Sequence, residues 1–356
     1  MTKFLSDKLR ALSFFSIIMV VYIHAFNVQV NMATGVDVVQ RGYNSFIQDF
    51  ISHGIADFSV PMFFVISGFL YFMNIKTGAA SEFIQKYKKR FETVVLPYLI
   101  WSVFGILLFL LLQSIPSVRI FFAQKVMIKD YSLSDWMDNI FINPVQYQFW
   151  FLRDLIVLIA LSPVIYYVIK YLKLFGVIVF LVIWLLDAQL IIMKTVSLFF
   201  FGLGSFLSIQ KIDIEKLSLK KFSMVIVIVW IALICLRTIF TYESYWNYWL
   251  YVLHAFIMLL GVVTIWSLYD KLVGATDISK MKLYSLFQYT FFIYAAHEPA
   301  LTICKKILTF ALGRTQPVSL AIYFVAPVLV IVTMIGCGFL FKRAAPAVYA
   351  VITGGR

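Results

Sequence analysis

Charge is what this sequence has least of. Only 13% of its 356 residues are charged, and acidic side chains are the scarcest, 17 against 30 lysines and arginines. A soluble domain carries roughly twice that share of charge, so this chain does not have the surface of one. Cysteine is nearly missing as well. Cys235, Cys304 and Cys337 fall within or beside apolar stretches at no metal-like spacing, which excludes a disulfide framework and a zinc site. No repeat of solenoid length and no low-complexity run is found. No small-residue cleavage site follows the first apolar stretch, so that stretch is expected to be a retained helix.

What fills the space is apolar. Hydrophobic residues make up 62% of the chain, and the mean hydropathy is +0.93. A membrane-spanning helix needs about 20 mainly apolar residues, and such stretches lie near 12–32, 55–74, 94–114, 149–169, 174–190, 192–209, 222–240, 246–268, 284–304 and 319–341. The fifth and sixth are almost continuous, and Pro299 interrupts the ninth. The expected fold is an all-α integral membrane protein, a bundle of about ten transmembrane helices forming a single multi-pass domain over 1–356, with no separate soluble domain. With both termini cytoplasmic, 20 of the 30 basic residues fall on the inner side, as the positive-inside rule requires. The net charge of +13 is thus a topology signal with membrane lipids as the partner, and it points to no nucleic acid.

The longest polar stretch, about 115–148, contains SLSDWMDNIFINPVQYQFW, where Ser134 before Trp136 and Asp138 marks a short capped helix at the interface. Its aromatic residues, and those of TYESYWNYWLY at 241–251, have two readings. One is anchoring at headgroup level; the other is a platform on which the apolar faces of sugar rings stack.

The stretch SIIMVVYIHAFN at 16–27 holds an ionisable ring in an apolar helix. At about 100° per residue, Ser13, Ser16, His24, Asn27 and Asn31 fall within about 80° of one another. Such a stripe should face the bundle interior or a wet cavity. Arg10 sits at the foot of that face, about 21 Å from His24. Packing glue between helices is the competing reading for His24. Glu243, Asn247 and His254 line one face of the eighth span, and Thr290 and His297 share a face of the ninth, with Glu298 following. FWFLRDL opens the fourth span and places Arg153 and Asp154 near the outer entrance with different partners, since neighbours on a helix point about 100° apart. For Arg153 an ion pair and a substrate contact are both open. His53 is expected in the loop before the second span, in a solvated or interfacial role.

Several segments together resemble the acyltransferase-3 family of integral membrane O-acyltransferases acting on bacterial surface carbohydrates. VPMFFVISGFLYF at 60–72 resembles its second-helix signature, KYKKRFETVVLPYLIW at 86–101 its basic loop before a proline, and FWFLRDLIVLIALSPVI at 149–165 its Trp-Phe-Leu segment. SLFFFGLGSFL, YTFFIYAAHEPAL and APAVYAVITGGR are similar to further family patterns. The family's first helix carries an arginine, ten residues and a histidine. Here His24 matches, Ser13 stands in the arginine's place, and Arg10 is one turn further away. Of the paired arginines before the third-helix proline only Arg90 is kept, with Thr93 at the other position.

The resemblance implies transfer of an acyl group, most often acetyl, from acyl-CoA as co-substrate to a hydroxyl of a surface polysaccharide or lipid-linked sugar, at the bacterial inner membrane. No cofactor is bound permanently and no metal is implied. His24 would be the general base, acyl-histidine formation being the alternative. Arg10, Lys88, Lys89 and Arg90 would hold the donor, unless the basic segment serves topology alone. Asn27, Asn31, Trp150, Arg153, Asp154, Glu243, Asn247, His297 and Glu298 are candidates for the acceptor side or for support of His24, with Arg153 also a candidate oxyanion donor. A homodimer is compatible with the sequence. Polar stripes and proline-broken spans also describe exporters and flippases, the second reading.

Overall fold

The computed structural model describes every residue except 33, 34, 40, 120–126, 244–246, 275 and 356, with side chains also left aside at 30–38 and 117. The described chain is helical apart from one short hairpin. Helix α1 (Lys3–Ala25) ends well before residue 32, and the chain continues into β1 (Gln29–Met32), antiparallel to β2 (Gly35–Val38). The Val-Gln-Val run at 28–30 favours this, since β-branched residues fit extended backbone better than helix. Asn27 and Asn31 are therefore not on the helix that carries His24.

Helix α2 (Tyr43–Phe50) passes through a π turn at Ile51–Ile55 and a 3-10 turn at Ala56–Phe58 into α3 (Ser59–Phe72). His53 thus lies inside a helical run, not in a loop. Helix α4 (Ala80–Arg90) runs through a second π turn into α5 (Leu96–Ser114), so the basic KYKKR segment is helix too. Short α6 (Pro116–Arg119) and α7 (Leu133–Phe141) follow. The cap of α7 is Ser132 rather than Ser134: its hydroxyl accepts from the Asp135 N–H while the Asp135 carboxylate accepts from the Ser132 N–H.

The expected span 149–169 is split into α8 (Trp150–Ala160) and α9 (Ser162–Leu172), bent by 65°. Pro163 follows the break, and a proline ring clashes with the carbonyl four residues back. Then come α10 (Leu174–Leu185), α11 (Thr195–Ile209), α12 (Ser223–Tyr242), α13 (Tyr248–Leu272), α14 (Thr290–Leu312), α15 (Gln316–Ala344) and α16 (Pro346–Thr353). Five runs among the described residues are long and apolar enough to cross a membrane: Tyr43–Phe72, Ala80–Ser114, Ser223–Tyr242, Tyr248–Leu272 and Gln316–Ala344. The bent pair α8–α9 is a sixth if it counts as one span. Of the ten expected spans, α10 and α11 have only 12 and 15 residues, short of the ~20 that a bilayer core requires.

By internal contacts the chain forms two units, each made of three stretches. The first comprises 1–20, 50–89 and 154–290. Its core places Leu5, Leu9 and Leu12, one stripe of α1, with Phe58, Met62, Ile66, Trp230, Ile234 and Ile257. Helices α3 and α11 touch backbone to backbone: a Cβ on Gly68 would meet the Phe201 carbonyl, and one on Gly204 the Val65 carbonyl, the small-residue packing of membrane helices. Lys8 is buried with its Nζ 2.7 Å from Asp270 Oδ1 and 3.5 Å from the Trp266 ring centroid. The second unit comprises 21–49, 90–153 and 291–356. Here Trp101 Nε1 donates to the Ile352 carbonyl at 2.9 Å, and Phe292 stacks on Tyr349 with centroids 5.6 Å apart.

Candidate active site

The second unit gathers His24, His297 and Glu298. His24 is in the last turn of α1, whose carbonyls have no partner within the helix. Lys305 of α14 supplies one, donating its Nζ to the His24 carbonyl and, at 3.3 Å, to that of Phe26. A cation there also complements the negative end of the helix dipole. Just beyond, buried Asn27 donates its Nδ2 to the Ser319 carbonyl at 3.0 Å and accepts at Oδ1 from Gln48 Nε2 at 3.0 Å and Ser319 Oγ at 2.6 Å. Its own N–H donates to Gln48 Oε1 at 2.9 Å. Asn27 therefore fastens the exit of α1, and together with Lys305 it restrains the turn that carries His24.

Helix α14 is broken inside this unit by Pro299, which lacks an N–H, and Glu298 takes extended backbone angles, φ −107° and ψ 136°. The Glu298 carbonyl, freed from the helix, accepts from Gln146 Nε2 at 3.0 Å and Gln148 Nε2 at 3.2 Å. On the side chain, Oε1 accepts from the Tyr147 hydroxyl at 2.9 Å and Oε2 from the Thr302 N–H at 3.3 Å. Glu298 is 2% exposed, so these two donors satisfy a buried carboxyl group that would otherwise be costly to desolvate.

His297 is fully buried. Its Nδ1 lies 2.8 Å from the Tyr294 carbonyl and 3.1 Å from that of Ile293. Carbonyls only accept, so Nδ1 carries the proton, and Nε2 of the neutral ring is left as an acceptor; among the described residues it has no hydrogen-bond partner. The His24 ring stacks on this ring at a centroid distance of 5.4 Å and an angle of 23°, and meets the Tyr147 ring at 4.8 Å and 77°. Two imidazoles, a tyrosine and a carboxylate thus occupy one place. Such a set can accept a proton from a hydroxyl, orient it, and hold the charge that results.

Other residues singled out from the sequence lie elsewhere or have structural partners. Arg10 belongs to the first unit and donates to the Tyr284 hydroxyl at 3.0 Å, which donates to Asp7 Oδ1 at 2.8 Å. Lys88 and Lys89 are exposed on α4, and Arg90 ends that helix. Arg153 and Asp154 do have different partners: Arg153 donates to the Ile142 carbonyl, whereas buried Asp154 accepts from Ser197 Oγ at 2.7 Å and the Lys194 N–H at 2.9 Å. Trp150 opens α8. Asn31 pairs with Val36 in the hairpin, and its side chain lies outside the described residues. Glu243 and Asn247 do not share a helix face. Exposed Glu243 follows the end of α12, and Asn247 caps α13 by accepting from the Leu250 N–H at 3.0 Å. His254 pairs with Asp57 at 3.3 Å in the first unit. Tyr147 and Lys305 were not anticipated individually. The signal for Lys305 was present, a Lys-Lys pair inside the apolar run LTICKKILTF. No group of three or more His, Cys, Asp or Glu among the described residues could hold a metal ion.

Apolar helices of membrane-crossing length, together with a buried histidine and carboxylate around a proline break, define a multi-pass membrane protein with a built polar site. The chain belongs to the acyltransferase-3 family, whose model, described as an acyltransferase domain, matches residues 7–341, and it is an acyltransferase. The succinoglycan biosynthesis protein ExoH of Rhizobium meliloti (strain 1021) is 24% identical over 322 residues, 88% of this chain and 84% of that protein. No solved structure gives a significant match.

Proposed function

We propose that this protein acylates a hydroxyl of a cell-surface or lipid-linked sugar, with acyl-CoA, foremost acetyl-CoA, as donor, in the bacterial inner membrane. The observation that carries the reading is the placement of His24 against His297 and Tyr147, with Glu298 bonded to that tyrosine, in a chain of an acyltransferase family. The similarity to a protein named for succinoglycan biosynthesis supports a polysaccharide acceptor.

In the proposed reaction the acceptor hydroxyl oxygen attacks the thioester carbonyl while its proton passes to His24. The tetrahedral intermediate collapses with cleavage of the carbon–sulfur bond, and the thiolate leaving as coenzyme A takes the proton back from His24. A sugar hydroxyl is too weak a nucleophile without such a base, and imidazole is suited to it near neutral pH. Lys305 and Asn27 act as positioning residues by fixing the turn that carries His24. Lys88, Lys89 and Arg90 are assigned to the donor's phosphates, where cations and a bidentate guanidinium are effective.

The test is release of free thiol from acetyl-CoA by the purified protein in nanodiscs, across a panel of surface-sugar acceptors. Thiol release that requires an acceptor, with acyl sugar detected by mass spectrometry, is expected. Absence of both with every acyl donor, from protein shown to be folded, would reject the reaction in favour of an exporter.

A further inference from the structure

Tyr147 is placed the wrong way round for a membrane tyrosine. The usual arrangement buries the ring and leaves the hydroxyl wet. Here the hydroxyl is turned inward onto a carboxylate that is 2% exposed, while the residue as a whole is 46% exposed. The ring is also fixed. It stands on the 3-10 turn Tyr147–Phe149, where Gln148, Phe149 and the preceding Gln146 are all buried. Both glutamines donate to the Glu298 carbonyl, and the tyrosine hydroxyl binds the Glu298 side chain. The anchored residue is thus still nearly half exposed, with its ring centroid 4.8 Å from that of His24 at an angle of 77°.

We propose that Tyr147 is the acceptor platform of the site: the C–H face of a pyranose ring stacks on its open side, and a hydroxyl of that ring is delivered to His24. The proposal rests on the sugar acylation reading above and adds the group that selects a sugar ring. A flat, apolar, rigid surface next to a base matches the two-sided character of a pyranose, which has a C–H face and a rim of hydroxyls. Tyr147 thus discriminates a cyclic sugar from an open-chain polyol, which offers hydroxyls without a face.

The test uses full-length protein in nanodiscs without donor. Saturation-transfer NMR is read for methyl β-D-glucopyranoside and methyl β-D-galactopyranoside, with sorbitol as the open-chain control. Wild type is expected to bind at least one pyranoside in preference to sorbitol. Tyr147→Leu, which keeps bulk and loses the ring, should weaken that binding about tenfold, as expected for loss of an aromatic contact. Tyr147→Phe and Tyr147→Trp should retain it. In turnover, Leu should raise the acceptor KM and leave the acetyl-CoA KM unchanged. Should the Leu variant not fold, the Trp variant decides, and loss of pyranoside binding in folded Trp protein overturns the platform. So does wild-type binding by folded Leu protein, or equal binding of sorbitol by wild type, the outcome expected of a headgroup anchor. Pyranoside binding that depends on the ring, with no transfer from any donor, would leave the platform standing and remove the reaction. Transfer with unchanged acceptor KM in the Leu variant would do the reverse.

Discussion

Two side chains, those of Gln48 and Ser319, meet at Asn27, and both depend on it. Gln48 and Ser319 both donate to its Oδ1, while its Nδ2 reaches the Ser319 carbonyl. Replacing Asn27 by alanine leaves buried polar groups without their partner, a loss of about 3 kcal/mol by the usual cost of orphaned buried groups. The expected outcome is a lower thermal midpoint in detergent, together with slower transfer because the turn bearing His24 loosens. An unchanged midpoint would show that the network is not fastening α1. Lys305 acts on the same turn through the His24 and Phe26 carbonyls, so Lys305→Met should lower kcat for transfer with little change in acceptor KM. A wild-type kcat in that variant would remove its positioning role.

At the scale of elements, the α3–α11 contact is the tightest test of packing. Gly204→Val puts a side chain against the Val65 carbonyl, and overpacking of this kind costs about 3 kcal/mol; the variant should melt earlier, and an unshifted midpoint would mean that the helices are not in backbone contact. The five long apolar helices were legible because such runs have few alternatives, whereas the split of 149–169 and the shortness of α10 and α11 were not; Pro299 announced the break that frees the Glu298 carbonyl. His24, His297 and Glu298 were legible as polar groups in such runs. The ends of helices were not. Helix α1 stops at Ala25, and its exit is fastened by Gln48, Ser319 and Lys305, residues remote in sequence. The stripe therefore does not continue to Asn31, and Glu243 and Asn247 fall on either side of the break between α12 and α13. Tyr147 lay in an aromatic-rich segment, and its hydrogen bond to Glu298 joins residues 151 positions apart, which no local pattern announces.

At the scale of the whole molecule, the excess of positive charge has a second use if the donor is polyanionic. Converting Lys88, Lys89 and Arg90 together to glutamine should raise the KM for acetyl-CoA and flatten its dependence on salt, since exposed charges are screened over roughly 10 Å at 0.1 M ionic strength. An unchanged KM and an unchanged salt slope would return these residues to topology. The central claim concerns His24, and the most direct measurement is single-turnover formation of acyl sugar from acetyl-CoA by wild type and His24→Ala, both in nanodiscs and both shown to be folded. Loss of a general base slows the chemical step by about 10²–10⁴-fold, so that fall is predicted, with acetyl-CoA binding retained. Wild-type single-turnover rates in His24→Ala would contradict the account.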